Sequence, residues 1–169
     1  MTDVVVEGDD LVHLATRLLL NLSYNADGLA AMKALGLRDM LLAVLPVLPD
    51  VALVFALKLV GRLLPACSDL PISNQNRWLH AATARLATAI QTAEDEADDA
   101  VAALSVLAEP LLQLVDHLLS PGSSDINKHV SQVLRRTDRV LGRQHPAAAL
   151  LSRVQRRLGA ATISANQLD

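Results

Sequence analysis

The fold is decided by residues 10–48, DLVHLATRLLLNLSYNADGLAAMKALGLRDMLLAVLPVL. Between residues 10 and 23 an apolar side chain recurs every three or four positions, which is the period of an α-helix. Asp9 or Asp10 stands where a helix cap is favoured, and the run ends at the polar segment 21–25. This part of the sequence predicts a long amphipathic helix.

Two shorter helices are predicted to follow. The first covers 27–35, with Asp27 as its cap and Gly36 as its stop. The second covers 37–45, because the prolines at 46 and 49 cannot supply the amide hydrogen bonds of a helix interior. Three helices in 39 residues, without a strand pattern, predict an all-α fold.

The chain then repeats itself. A helix is predicted over 51–64, with Asp50 as its cap, and the segment 10–23 matches it at an offset of 41 residues. The matched pairs are Asp9 and Asp50, Ala15 and Ala56, Arg17 and Lys58, Leu18 and Leu59, Asn21 and Arg62, and Leu22 and Leu63. A period near 40 residues is typical of stacked helical repeats.

Four more helices are predicted, over 76–92, 97–119, 126–141 and 146–158. Pro110 either kinks the second of these or divides it in two. The inner face of the last is predicted to carry Ala149, Leu150, Val154 and Leu158. The connector 65–76 and the tail TISANQLD are predicted as loop and loose chain.

An acidic run, Glu94 to Asp99, follows the first of these four helices. It is predicted to be a solvated loop leading into the next helix, since carboxylates suit a helix amino terminus. An acidic docking patch is the other interpretation.

Composition bounds the class of protein. The 169 residues are 51% hydrophobic but only 2% aromatic, so the core must be built from Leu, Val and Ala. One Trp, one Tyr and one Phe cannot form a base-stacking surface. The length suits one domain, 1–169, of about four repeats of roughly 40 residues.

The sequence also suggests a compartment. The single cysteine, Cys67, excludes an intramolecular disulfide and a Cys-based zinc site, and suits the reducing cytoplasm. The acidic amino terminus is unlike a secretory signal. The most apolar region, 40–64, is interrupted by prolines and charges, so no membrane span is expected. We therefore expect a cytoplasmic protein.

The residues RLLLNLS at 17–23 and the spacing that follows them resemble the armadillo repeat family. The other residues that carry the resemblance are Gly28-Leu29, Met32, Gly36-Leu37 and Leu41-Leu42 through Leu45. The local match is nearest to the armadillo subunits of heterotrimeric kinesin-2, and HEAT repeats share much of it. The resemblance implies a right-handed superhelical stack of three to four degenerate repeats, acting as a binding scaffold in a motor, cilium or transport assembly.

In that family the long third helix of each unit lines a concave groove. By resemblance, this role falls to residues 10–23, 51–64 and 126–141. The predicted partner-binding residues are Arg17, Asn21, Lys58, Arg62, Arg135 and Arg139. Members of each pair are four residues apart and share a helix face, so the set could hold an acidic peptide or helix of a protein partner. Ordinary solvated charges on amphipathic helices are the alternative.

Charge is unevenly distributed along the chain. Residues 123–169 carry eight Lys or Arg and three Asp, a net of +5, and residues 1–122 carry a net of −8. A second hypothesis is therefore a compact helical bundle whose basic carboxy-terminal helices bind anionic lipid or nucleic acid through Arg135, Arg136, Arg139 and Arg143. The overall charge of −3 and the scarcity of aromatics disfavour nucleic acid.

No motif predicts catalysis, a metal or a cofactor. The five histidines lack the i, i+4 spacing of a metal site, and the glycines do not form a phosphate-binding loop. Cys67 follows a helix end, so it is either a passive or a reactive thiol. We expect a non-enzymatic protein that takes no small-molecule substrate, with an enzyme whose site leaves no sequence signature as the remaining alternative.

Overall fold

The computed structural model describes residues 8–64, 71–95, 98–119, 124–142 and 145–166, and these residues form α-helices without a strand. The helices are α1 Gly8–Leu22, α2 Ala26–Ala34, α3 Leu37–Val44, α4 Asp50–Leu63, α5 Ile72–Asp95, α6 Asp98–Leu118, α7 Ser124–Leu141 and α8 Ala148–Asn166. The all-α prediction is confirmed. The helices form two compact units, Met1–Leu64 and Pro65–Asp169, called unit 1 and unit 2 below.

In unit 1, helices α1 and α4 lie side by side and run in the same direction. Near their amino ends, the rings of His13 and Phe55 are 5.2 Å apart between centroids. At their carboxyl ends, Arg62 donates to the carbonyl oxygen of Ser23. The pairs are 42 and 39 residues apart in sequence, which brackets the offset of 41 seen in the sequence.

Short helices α2 and α3 connect this parallel pair. Asn25 caps α2, since its side-chain oxygen accepts from the amides of Asp27 and Gly28. The prediction of Asp27 as the cap was wrong, because Asp27 already lies in the first turn of α2. Gly36 has φ of 70°, the left-handed conformation that ends a helix and that glycine adopts without strain. It stops α2 as predicted.

Helix α4 is the centre of unit 1. It begins after Pro49, which is its cap, and Asp50 is its first residue. The preceding prolines shape a 3-10 turn, Leu45–Val47, where the third helix was predicted to end. The buried side chains of α4 are Ala52, Leu53, Ala56, Leu57, Leu59, Val60 and Leu63.

Unit 2 consists of two helical hairpins. Helix α5 packs along α6 across a connection of two residues, and α7 packs along α8. Two contacts give the relative direction of α5 and α7. The rings of His80 and His129 lie 6.2 Å apart, and Arg136 bonds to Gln91 and Glu94 farther along both helices. Helices α5 and α7 are therefore parallel neighbours, and the two hairpins lie side by side.

The core of unit 2 is built from aliphatic side chains, as the composition predicted, around the single tryptophan. Trp78 is 1% exposed. The largest other fully buried side chains of this unit are Leu86, Ile90, Leu104, Leu107, Leu111, Leu112, Leu118 and Leu134.

Several predicted boundaries in unit 2 were wrong because tertiary contacts extend the helices. Helix α5 begins at Ile72, with the amides of Asn74 and Gln75 bonded to the carbonyl of Pro71, so that most of the predicted connector is helical. Pro65 and Cys67 lie outside the described residues. At its other end, α5 includes Glu94 and Asp95, which were predicted as loop.

Helices α6 and α8 also differ from expectation. A single helix α6 passes through Pro110. Helix α8 continues to Asn166, so the expected loose tail is helical up to that residue, and 167–169 lie outside the described part. Ala149 is exposed rather than internal, and Ala147 and Leu151 fill the core with Val154 and Leu158.

One helix is apolar and long enough to cross a membrane by composition alone. The window Val101–Leu118 of α6 has a mean hydropathy of 1.4. In this fold 44% of that window is buried among the helices of the protein. The core helix of a soluble protein passes the same test, so this property does not indicate a membrane protein.

Candidate partner-binding surface

The predicted binding residues of unit 1 differ in their surroundings. Arg17 and Asn21 are exposed on α1, and Lys58 is exposed on α4. Because α1 and α4 are parallel at an offset near 41, Arg17 and Lys58 lie at the same level along the two helices. These three side chains are accessible to a partner.

Arg62, the fourth predicted residue in unit 1, is half-buried and already engaged. Its Nη2 and Nε atoms donate to the carbonyl oxygen of Ser23 at 2.9 and 3.3 Å. Its guanidinium carbon lies 4.3 Å from the centre of the Tyr24 ring, which is a cation–π contact. The helix end of α1 leaves carbonyls without intrahelical partners, and Arg62 satisfies one of them. In this structure Arg62 therefore holds α1 against α4.

Helix α1 presents its leucines to solvent. Leu11, Leu14, Leu18 and Leu22, called the leucine stripe below, are 63%, 55%, 59% and 47% exposed. Their spacing places them on one side of the helix. The sequence predicted an apolar helix here, and the structure shows that this apolar side is not the one packed in unit 1.

The packed side of α1 is more polar than the leucine stripe. It carries Thr16, Leu20 and Ser23, all buried, and half-buried His13. The hydroxyls of Thr16 and Ser23 donate to the carbonyls of Val12 and Leu20 in their own helix, each at 2.6 Å. These bonds satisfy the buried hydroxyls without help from a neighbour. Thr16 and Ser23 can therefore pack against apolar side chains.

Exposed apolar side chains are concentrated in unit 1. Of the twelve large apolar residues that are exposed in the described parts of the chain, eleven lie in unit 1 and only Val106 lies in unit 2. Besides the leucine stripe, those in unit 1 are Val12, Tyr24, Leu35, Met40, Val44, Val47 and Val51. Contiguous exposed apolar surface commonly marks a protein-interaction site.

The predicted binding residues of unit 2 lie on one face of α7. Arg135 and Arg139 are exposed, and neither forms a hydrogen bond or ion pair with another described residue. Lys128 and Gln132 share this face, because positions 128, 132, 135 and 139 follow the helical period. The four residues are called the α7 basic face below.

Arg136 is not part of that face. Its Nη2 donates to Glu94 at 2.5 Å and to Gln91 at 3.0 Å on α5. The hydrogen bond to Glu94 raises the pKa of Arg136 above its usual value. A shallow cavity of about 430 Å³ adjoins this contact. Arg143, the fourth predicted phosphate contact, lies outside the described residues.

A further cluster joins α6 to α8. Asp116, whose side chain is 13% exposed, accepts from Arg153 at 2.7 Å and from Arg157 at 2.6 Å. Arg157 also donates to the backbone carbonyls of Asp116 and Leu119 at the end of α6. The cluster therefore closes a helix end, as Arg62 does in unit 1.

The histidines come together in a way that their sequence spacing does not reveal. His80 and His129 are neighbours across α5 and α7, and His13 packs on Phe55. Among the described residues, no group of three or more His, Cys, Asp or Glu side chains is arranged to hold a metal ion.

Comparisons with known proteins leave the family open. No protein-family model matches the chain, and no curated protein or solved structure matches it.

Proposed function

We propose that this protein is a non-enzymatic interaction scaffold, built from degenerate helical repeats of the armadillo or HEAT kind, that binds a peptide or helix of a protein partner. One observation carries the proposal: the large exposed apolar side chains are concentrated in unit 1 and include the leucine stripe. A folded domain rarely exposes such a surface unless another molecule covers it.

The directions of the helices support the repeat architecture. In stacked repeats, equivalent helices of successive units are parallel neighbours. Helices α1 and α4 have this relation in unit 1, and α5 and α7 have it in unit 2. A closed up-and-down bundle would instead place antiparallel helices side by side.

The accessible members of the predicted ladder supply polarity beside the apolar surface. Arg17 and Lys58 are exposed cations at one level of the parallel pair, and Asn21 lies one turn beyond Arg17. Carboxylates of a partner would be attracted to this edge, and their pairing would set the register of the bound segment.

The test is charge reversal with a matched control. The variant carrying Arg17→Glu and Lys58→Glu should lose capture of its partner from cytosolic extract, measured by quantitative mass spectrometry, with an unchanged circular dichroism spectrum. Arg62 is left intact because its loss would loosen α1. The control, Lys33→Glu with Arg38→Glu, makes the same charge change on α2 and α3. Equal capture by both variants would contradict the role of this edge.

A second candidate function rests on the α7 basic face. Arg135 and Arg139 are exposed without partners among the described residues, so they are available to phosphate groups. Binding to vesicles that contain an anionic phospholipid should fall steeply with added salt, and Arg135→Glu with Arg139→Glu should abolish it. The Arg17→Glu and Lys58→Glu variant is the control. A duplex DNA arm in the same titration distinguishes lipid from nucleic acid.

A further inference from the structure

We infer that the leucine stripe of α1 is a docking site for an amphipathic helix of another protein, lying parallel to α1 in the way that α1 itself lies on α4. This inference rests on the proposed interaction function and specifies the site and the kind of partner.

The internal repeat identifies the stripe with a surface that is covered elsewhere in unit 1. At the offset of 41, Leu11, Leu14, Leu18 and Leu22 correspond to Ala52, Phe55, Leu59 and Leu63. Ala52, Leu59 and Leu63 are at most 2% exposed, and Phe55 is half-buried against His13. The same side of the repeated helix is thus covered in α4 and open in α1.

The element that lies on this side of α4 is α1. Phe55 and Arg62 occupy one side of α4 by helical spacing, and both contact α1. The structure therefore contains an example of the expected occupant. It is a helix that presents small hydroxyl side chains and leucine at positions equivalent to 16, 20 and 23, with the hydroxyls bonded within their own helix.

The polar edge of α1 fits the same arrangement. Arg62 of α4 holds the carboxyl end of α1 by donating to the Ser23 carbonyl. Its equivalent on α1 is Asn21, which is exposed and carries an amide donor. Asn21 should donate to a terminal carbonyl of the docked helix, a group that lacks an intrahelical partner.

Charge disfavours a second copy of this chain as the occupant. The midpoint of the leucine stripe falls between Thr16 and Arg17, so a two-fold axis through it would place Arg17 opposite its own copy. Like charges facing each other across an interface are costly. A different helix can instead place a carboxylate opposite Arg17.

The probe for the test is a peptide of residues 8–25 with its own stripe removed. It carries Leu11→Gln and Leu22→Gln, and a lactam bridge joins Leu14→Glu to Leu18→Lys, since a short free helix is marginal in water. Fluorescence anisotropy measures its binding to the full chain. Leu14→Gln with Leu18→Gln in the chain should weaken binding about tenfold or more, and Asn21→Ala about fivefold, which is about 1 kcal/mol.

The matched control is Met40→Gln with Val106→Gln, which removes exposed apolar side chains elsewhere and should leave the affinity unchanged. Absence of peptide binding would overturn the inference, as would binding that ignores Leu14→Gln with Leu18→Gln, since the peptide would then be replacing α1 on α4. Stripe-dependent self-association in light scattering would assign the site to a second copy and also overturn it. If these tests fail while Arg17→Glu with Lys58→Glu still abolishes partner capture, the proposed function stands without this site.

Discussion

Arginines that hold helix ends recur in both units of this protein. Arg62 satisfies the Ser23 carbonyl at the end of α1, and Arg157 satisfies the carbonyls of Asp116 and Leu119 at the end of α6. Guanidinium suits this task because it carries several donors in one rigid plane. An exposed arginine in the sequence pattern therefore has a structural use as well as a binding one.

Replacing Arg62 should destabilise unit 1. Arg62→Ala removes two hydrogen bonds to Ser23 and the contact with Tyr24, which together predict a loss of about 1–3 kcal/mol in the free energy of unfolding. Urea denaturation followed by circular dichroism measures it. Lys58→Ala, one turn away and exposed, should change stability by less than about 0.5 kcal/mol. Equal effects would show that Arg62 does not hold α1.

Two glycines should respond to alanine in opposite directions. A Cβ at Gly28 would lie under 3.0 Å from the carbonyl oxygen of Leu22, so Gly28→Ala should cost about 1–3 kcal/mol. Gly61 is exposed inside α4 with no atom near its Cβ position, so Gly61→Ala should stabilise by about 0.5–1 kcal/mol. Thermal unfolding of both variants checks the signs, and a stabilised Gly28→Ala would contradict the close approach of α1 and α2.

At the scale of elements, α1 and α4 have matched sequences but different surroundings. Both are apolar over most of their circumference, and the pattern alone makes Leu18 and Leu59 equivalent. In the fold Leu59 is fully buried and Leu18 is 59% exposed. A helix with two apolar sides can bury either one against its neighbours.

This difference predicts unequal effects of the same substitution. Leu59→Ala should cost about 2–5 kcal/mol, as large-to-small changes in a core do. Leu18→Ala should cost less than about 0.5 kcal/mol, because it removes exposed surface. Chemical denaturation of the two variants measures the difference. Similar losses would mean that Leu18 is covered in solution.

Helix existence in this protein could be read from the sequence, whereas helix ends could not. The periodicity located all eight helices, since each repeats its apolar side chains at the helical period. Helix α5 nevertheless runs through Glu94, because Arg136 of α7 stabilises that turn from a distant part of the sequence. Helix α6 continues through Pro110. Local propensity contains no term for such distant contacts.

At the scale of the whole molecule, apolar exposure separates unit 1 from unit 2. Leu, Val and Ala fill the core in both, but large exposed apolar side chains are almost confined to unit 1 in the described part of the chain. Unit 2 exposes Val106 and carries the α7 basic face. The two candidate functions therefore belong to different units and can be tested with separate variants.

The apolar surface of unit 1 should be visible to a hydrophobic dye. The native chain should enhance 1-anilinonaphthalene-8-sulfonate fluorescence, and Leu14→Gln with Leu18→Gln should reduce the enhancement by roughly half, since such dyes report exposed apolar surface. Val106→Gln should leave it unchanged. A fluorescence titration at constant protein concentration decides, and an equal decrease in both variants would contradict the assignment to unit 1.

For the candidate site, the sequence located the helices and the exposed polar positions but not the binding surface. Arg17, Asn21 and Lys58 were selected by their spacing and are exposed. Arg62 was selected by the same rule and is engaged with Ser23 and Tyr24. The leucine stripe was missed because apolar periodicity is ordinarily assigned to the core.

By itself the sequence determined that the chain is all-helical, that its core is aliphatic and that 10–23 and 51–64 are related segments. These properties follow from periodicity and composition, which are local. Only the tertiary structure decided which side of α1 is buried, which arginine holds a helix end and which histidines meet. Those outcomes depend on the direction and rotation of each helix against its neighbours, and a helix with more than one apolar side does not specify them alone.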